Sequence, residues 1–308
     1  MATTLYRSTD GSAPTMSGTA GDLIAVLDAC LVNGYGAKAA AGWTKVFSGT
    51  NKAVYQAPAG TQFYLRVLDD GSDGTNGARV ASVRGYESMS DVDTGTGDYP
   101  TVAQQADGLF FAKSSTADAA TRPWAVVADS KRVIILGAYI SGDTNEQYKH
   151  VFFGDLISTA PGDSYCSSIF GATTSANAVS TVSPGNTAIE GVLCGGSAAQ
   201  NFYTARDHTG VGGSTVTALF FVKSSGSGAS LYTAGPDVNG NVWAEEIIVF
   251  DGSVNTAQGR GTVPGILFLT NYLDSGSIPS WTTVSTDVYV IRFNGTLNAY
   301  LLDTRNWE

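Results

Sequence analysis

The stretch Asp287–Leu302, DVYVIRFNGTLNAYLL, decides the fold class. Apolar and polar residues alternate on either side of Asn294-Gly295, and a period of two marks a strand with one buried face. Asn-Gly accepts the positive φ angles of a tight type I′ turn, so Asp287–Phe293 and Thr296–Leu302 are predicted to form a β-hairpin with a two-residue loop. Asn294-Gly295-Thr296 is formally a glycosylation acceptor, but a turn accounts for it without any sugar.

Outward from this hairpin the same pattern recurs. Short strands separated by turn clusters are predicted at Trp43–Phe47, Phe63–Leu68, Val80–Tyr86, Leu109–Ala112, Trp124–Ala128, Val133–Ile140, Val216–Val222, Val242–Phe250 and Ile266–Leu269. The chain has 308 residues, of which 43% are hydrophobic and 14% charged, so it is long and apolar enough to bury a sizeable core. Its surface must be covered largely by Ser, Thr, Asn and Gly. There are 21 Asp to 6 Glu, and 37 Gly. Asp bonds its own backbone in turns while Glu favours helices, so the skew points to many turns and few helices.

One segment departs from this pattern. In Ser17–Gly36, SGTAGDLIAVLDACLVNGYG, residues Leu23, Ile24, Leu27, Cys30 and Leu31 fall on one face of a helix. Thr19 is the expected N-cap, Asp22 complements the dipole in the first turn, and Gly34 or Gly36 supplies the left-handed stop. The Leu23–Leu31 face is expected to be core. The fold class that follows is mainly β with an α+β N-terminal part: one amphipathic N-terminal helix packed on antiparallel sheet, then a β-sandwich-like C-terminal region.

Residues 88–101, SMSDVDTGTGDYPT, are polar, rich in Gly and Asp, and carry a proline near their end. That is linker or long-turn chemistry, and it divides the chain into an α+β domain over 1–100 and a β-rich domain over 101–308. Leu109–Ser115 (LFFAKSS) is echoed by Leu219–Ser225 (LFFVKSS), and each is followed by a Trp-Ala strand, at Trp124-Ala125 and Trp243-Ala244. Duplicated β-modules would account for the echo, although unequal gaps exclude a strict repeat.

Catalytic motifs fare poorly. Asp93-Thr94-Gly95 and Asp274-Ser275-Gly276 resemble the two loops of an aspartic-protease dyad, in which two carboxylates share one proton. Such a loop must follow an apolar strand, whereas Asp93 lies among Asp91 and Asp98 in a polar stretch and is expected to be simply ionised. Asp69-Asp70-Gly71-Ser72-Asp73-Gly74 opens like a calcium loop, but Val80 stands where the bidentate Glu belongs. Gly34-Tyr35-Gly36-Ala37-Lys38-Ala39 follows a helix and not a strand, so it is no dinucleotide fingerprint. His150 and His208 belong to no metal-binding pattern, and Glu245-Glu246 point to opposite faces of a strand. Cys30, Cys166 and Cys194 lack CxxC spacing and are expected as buried free thiols. No catalytic, cofactor-binding or metal-binding residue is assigned, and no cofactor is expected.

The formal charge is −10, from 27 acidic against 17 basic residues, which repels a phosphate backbone and speaks against nucleic acid as a partner. The N-terminus has no apolar core of the secretory kind and no run approaches the ~20 apolar residues of a membrane span. The chain is expected to stay soluble in the cytoplasm where it is made.

Several segments together are similar to a family of tailed-bacteriophage virion proteins. They are Gly18–Gly36, Gly42–Lys45 with Phe47–Tyr55, Phe63–Val67, Arg84–Gly97 and Arg122-Pro123-Trp124, with a return at Arg260–Gly265 and Thr304–Trp307. The resemblance implies a non-enzymatic structural component of the virion, at the tail, baseplate or collar, assembled in the host cytoplasm. Its implied partners are other virion proteins and further copies of itself in a symmetric ring. It transfers no catalytic residues and makes DTGTG a structural loop. On this reading the N-terminal domain forms the assembly unit, and the loops at 69–77 and 91–100 are the expected contact surfaces. Two alternatives are a host-glycan-binding adsorption module, with Trp243 and Trp281 stacking on sugars, and an envelope-polymer hydrolase using His150, His208, Asp93 or Asp274.

Overall fold

The computed structural model describes residues 3–72, 77–114, 116–137, 150–173, 202–207, 209–212, 215–219, 244–251, 258–269, 281–285, 288–292 and 299–305. Among these residues the protein is mainly β, with antiparallel pairing throughout and one short helix near the N-terminus.

A small sheet of six strands holds β2 (Thr44–Gly49), β3 (Lys52–Gln56), β4 (Tyr64–Leu68), β5 (Val80–Asp91) and β6 (Thr94–Tyr99) in that order, with β7 (Leu109–Ala112) on the first part of β5. A large sheet of thirteen strands begins with β1 (Thr4–Arg7), β8 (Trp124–Ala128), β9 (Arg132–Gly137) and β10 (His150–Asp155). It continues through β12 (Ser167–Phe170), β13 (Phe202–Thr204), β14 (Thr215–Leu219), β15 (Ala244–Asp251) and β16 (Gln258–Leu269). Beyond β16 lie β19 (Ala299–Asp303), β18 (Val288–Arg292) and, at the far end, β17 (Trp281–Ser285). The short β11 (Ile157–Ser158) pairs the first part of β16.

β16 changes partner part-way along. Its other edge meets β11 at Gly261-Thr262 and β19 at Ile266–Leu269, and between these segments its register with β15 shifts at Glu246/Ile247. Pro264 cannot donate to a ladder and Gly265 has φ 70°, so this dipeptide forms the bulge that turns the strand from one partner to the other. Because β11 continues the chain from β10, the β16 pairing curls the large sheet back on itself.

A sandwich is formed by the two sheets. One core joins Tyr55, Leu65, Val67, Ala81 and Val83 of the small sheet to Val126, Ile135, Val151, Phe153, Ile169 and Tyr203 of the large one. Trp43 meets Phe153 edge-on at 6.0 Å, and Tyr99 stacks on the same ring at 6.1 Å. The strands also cross the sequence division at residue 100: β1 belongs to the large sheet and β7 to the small one. The two echoes differ likewise, since β7 pairs β5, while β14, which ends at Leu219, pairs β15 within the large sheet.

The helix α1 (Asp22–Leu27) continues into a π-helical turn, Asp28–Asn33; Leu23, Leu27, Cys30 and Leu31 are buried as the sequence predicts, whereas Ile24 is only half-buried and Val26, not expected on this face, is buried. Its cap is not Thr19. Gly21 occupies the N-cap in the left-handed region without a side-chain bond, and the free Leu23 N–H is accepted by Asp69 Oδ2 at 2.9 Å. Residues 88–101 are not a linker. They form the outer part of β5, a turn at Val92-Asp93, and β6, whose pairing runs from Asp91↔Thr94 to Gly85↔Tyr99. The terminal hairpin pairs as predicted, but Arg292 faces Ala299, whereas a two-residue loop at Asn294-Gly295 would set it against Leu297.

Candidate functional site

The inward residues of β4 and β5, Leu65, Val67, Ala81 and Val83, enter the core, so Arg66, Leu68, Ser82, Arg84 and Tyr86 fall on the opposite face by strand alternation. This outer face forms the floor of a groove of about 510 Å³. One wall is Asp70-Gly71-Ser72, another is the β5–β6 turn at Asp93, and a third is the segment containing Val102, Ala106 and Asp107. At one end Val80 and Phe110 form a small apolar cluster with Ala112 and Ala172.

Arg66 and Arg84 are direct register partners, a placement that is unfavourable unless each cation is compensated. Each is. Arg66 Nε donates to Val92 O at 2.9 Å and Nη2 to Asp93 Oδ1, while Lys52 Nζ donates to the same carboxylate at 3.1 Å. The Arg66 guanidinium, aided by Lys52, holds the Asp93 carboxyl below the usual range. Arg84 Nη1 donates to Asp98 Oδ2 at 3.0 Å, and Nη2 to Gln105 O and Ala106 O at 2.5 and 2.7 Å. Asp98 also accepts from Val102 N at 3.0 Å, and Gln104 Oε1 accepts from Thr101 N at 2.8 Å. The 101–107 wall is thus pinned to the sheet. Arg66 Nη1 and the Asp107 carboxylate have no partner among the described residues and remain available.

Tyr86 has an unusual seat. A Cβ on Gly95 would fall 2.6 Å from Tyr86 Cδ1, so the glycine of DTGTG leaves room for the ring to lie across β6. Burial pushes the Tyr86 hydroxyl up from its ordinary value.

The loops at 69–77 and 91–100 therefore contribute unequally to this surface. Asp70, Ser72 and Asp93 line the groove, whereas Asp69 and Tyr99 are buried. Asp69 lies against Lys113 Nζ at 2.5 Å, both side chains fully enclosed, and the ammonium also donates to Thr19 O. Burial raises the Asp69 carboxyl to about 6, with Lys113 opposing the rise. This carboxylate serves the helix N-terminus and the lysine, not a calcium loop. Asp70 forms an Asx turn with Ser72 N at 2.9 Å.

Of the other sequence candidates, Asp274, His208, Cys194 and Trp243 lie outside the described residues. His150 begins β10 opposite Leu136, Trp281 begins β17 opposite Ile291, and Glu245 and Glu246 occupy β15. Cys30 and Cys166 are buried and free, and burial raises both thiols, Cys166 to about 12. Among the described residues no group of three or more His, Cys, Asp or Glu is arranged to hold a metal, and no helix is long and apolar enough to cross a membrane.

Sequence reasoning passed over Arg66, Arg84 and Tyr86. Their signal was present in the alternation of YLRVL and VASVRGY, which sets these residues on one face of each strand. The β4–β5 register that makes neighbours of them is a tertiary fact. Neither a family model nor a curated protein matches the chain.

Proposed function

We propose that the protein is a non-enzymatic structural component of a tailed-bacteriophage particle, at its tail, baseplate or collar, acting through contacts with other virion proteins and with copies of itself. The observation that carries this reading is the unequal treatment of the two ends of the large sheet. At the β1 end, Lys38 Nζ donates to Leu5 O at 2.9 Å and Tyr35 Oη to Arg7 O, so side chains occupy the outward carbonyls and blunt that edge. At the β17 end, no described residue pairs the outer edge. An edge that is unpaired among the described residues, opposite one that is blocked, suits a strand added by a neighbour. A ring built this way would join β17 of one copy to a different surface of the next, a heterologous contact that closes by rotation.

Fractionation of purified particles tests the proposal: the chain should co-purify with virions at a fixed copy number. Its absence from the particle would overturn the reading. Size measurement of the isolated protein should also show assemblies that dissociate on dilution.

A further inference from the structure

We infer that the groove on the outer face of the small sheet binds a neutral oligosaccharide. The inference does not rest on the virion reading, since it follows from the groove alone. The groove volume of about 510 Å³ is within the range of about 300–1,000 Å³ usual for small-ligand sites. Its walls are held in place before any ligand arrives, because Arg84 ties the 101–107 wall to β5 and Arg66 ties the Asp93 turn to β4. A preformed site loses little conformational entropy on binding.

The lining selects the ligand class. Half-buried Tyr86 and the exposed Val102 offer apolar surface, backed by the buried Val80 and Phe110, and the aromatic ring is braced over Gly95. Beside them stand a donor, Arg66 Nη1, and an acceptor, the Asp107 carboxylate, neither partnered among the described residues. A sugar presents a C–H face to the first set and hydroxyls, which both donate and accept, to the second.

Charge argues for a neutral occupant. Arg84 is consumed by Asp98 and two carbonyls, and Arg66 is matched by Asp93, so Asp70 and Asp107 leave the groove slightly negative on a chain of formal charge −10. An acidic glycan would be repelled. A peptide is also a poor fit. The floor is a sheet face whose backbone groups already pair between β4 and β5, so an extended strand finds no main-chain partners there.

The test uses the full chain on an array of neutral hexose and N-acetylhexosamine oligosaccharides beside sialylated and uronic glycans and unrelated peptides. Titration calorimetry with the best neutral binder at low and high salt follows. Saturable, salt-insensitive binding to neutral glycans is expected. Tyr86→Ala and Asp107→Asn should each weaken it by about tenfold or more, while Val211→Ser, at an exposed position outside the groove lining, should leave it intact. Asp107 is exposed and forms no side-chain bond among the described residues, so its variant remains decisive even if Tyr86→Ala fails to fold. Absence of neutral-glycan binding, a preference for acidic glycans or peptides, or indifference to both substitutions would overturn the assignment.

Discussion

Asp69 and Asp93 both follow strands of the small sheet and both meet a cation, yet their surroundings differ completely. Asp69 faces inward beneath the helix, sealed with Lys113 and capping Leu23 N. Asp93 sits at a hairpin tip with 47% of its side chain exposed, held by Arg66 and Lys52. In the first case water is excluded, so each charge depends wholly on the other. In the second, solvent screens both partners and the pair chiefly positions a groove wall. Carboxylate–cation pairing thus serves stability in one place and shape in the other.

The largest effect expected from this contrast belongs to Asp69→Ala. It removes both acceptor oxygens at once, leaving Lys113 Nζ and Leu23 N–H buried without the carboxyl they meet, and breaking a buried pair in this way costs about 3–5 kcal/mol. Urea unfolding would show the loss as a lower midpoint. Combining it with Lys113→Met should recover most of the stability, because the uncompensated charge goes too. A single variant within about 1 kcal/mol of wild type would mean the pair is not sealed.

A pH series sharpens the same point. Burial raises the Asp69 carboxyl from 3.8 to about 6, so the folded chain holds this proton more tightly than the unfolded one. Its contribution to stability is therefore fully present below about pH 4 and is lost as pH rises through about 6, amounting to about 3 kcal/mol at 1.36 kcal/mol per unit. The difference in unfolding free energy between wild type and Asp69→Ala should change across that window and be flat above it. Exposed Asp93 shifts the opposite way, with its carboxyl lowered by Arg66.

The two faces of the β5–β6 pair give an intermediate test. Gly85 lies beneath the buried ring of its register partner Tyr99, which stacks on Phe153, so the ring has nowhere to go. Gly85→Ala should cost about 1–3 kcal/mol by overpacking. A Cβ at Gly95 would meet Tyr86 Cδ1 at 2.6 Å, Ser88 O at 2.9 Å and Met89 Cγ at 3.0 Å; because the nearest of these belongs to a half-buried ring that can yield, Gly95→Ala should cost less than Gly85→Ala. Paired thermal melts of the two variants check the order, and a reversal would contradict the inside–outside assignment.

Much of this architecture was legible in the sequence, and the misses share a cause. Leu109–Ala112 and Trp124–Ala128 match their predicted bounds because every residue in them is buried and apolar, a signal carried within the segment. The helix face was equally local. Its cap was not, since the carboxylate that replaces Thr19 lies 46 residues away. The terminal hairpin was recognisable, but β19 is central, paired with both β16 and β18, so two neighbours set its register, and the Asn294-Gly295 turn itself lies outside the described residues. Residues 88–101 looked like a linker because β6 is an edge strand with an exposed face and needs no apolar alternation. The groove was hidden for a related reason: Arg66 and Arg84 become neighbours only through pairing across the segment that joins β4 to β5.

Asp93→Ala carries the smallest expected effect and bears on the motif that first looked catalytic. An exposed ion pair contributes about 0.2–1 kcal/mol, less in high salt, so the melting temperature should barely move. Loss of the carboxylate nevertheless frees both Arg66 Nη2 and Lys52 Nζ at the groove rim, removing the charge that neutralises the floor. Under the oligosaccharide assignment, this variant should begin to accept acidic glycans on the same array while its stability stays close to wild type. A large loss of stability would mean that Asp93 belongs with Asp69, as a structural carboxylate whose partners depend on it, and the distinction between the sealed and the open pair would fall.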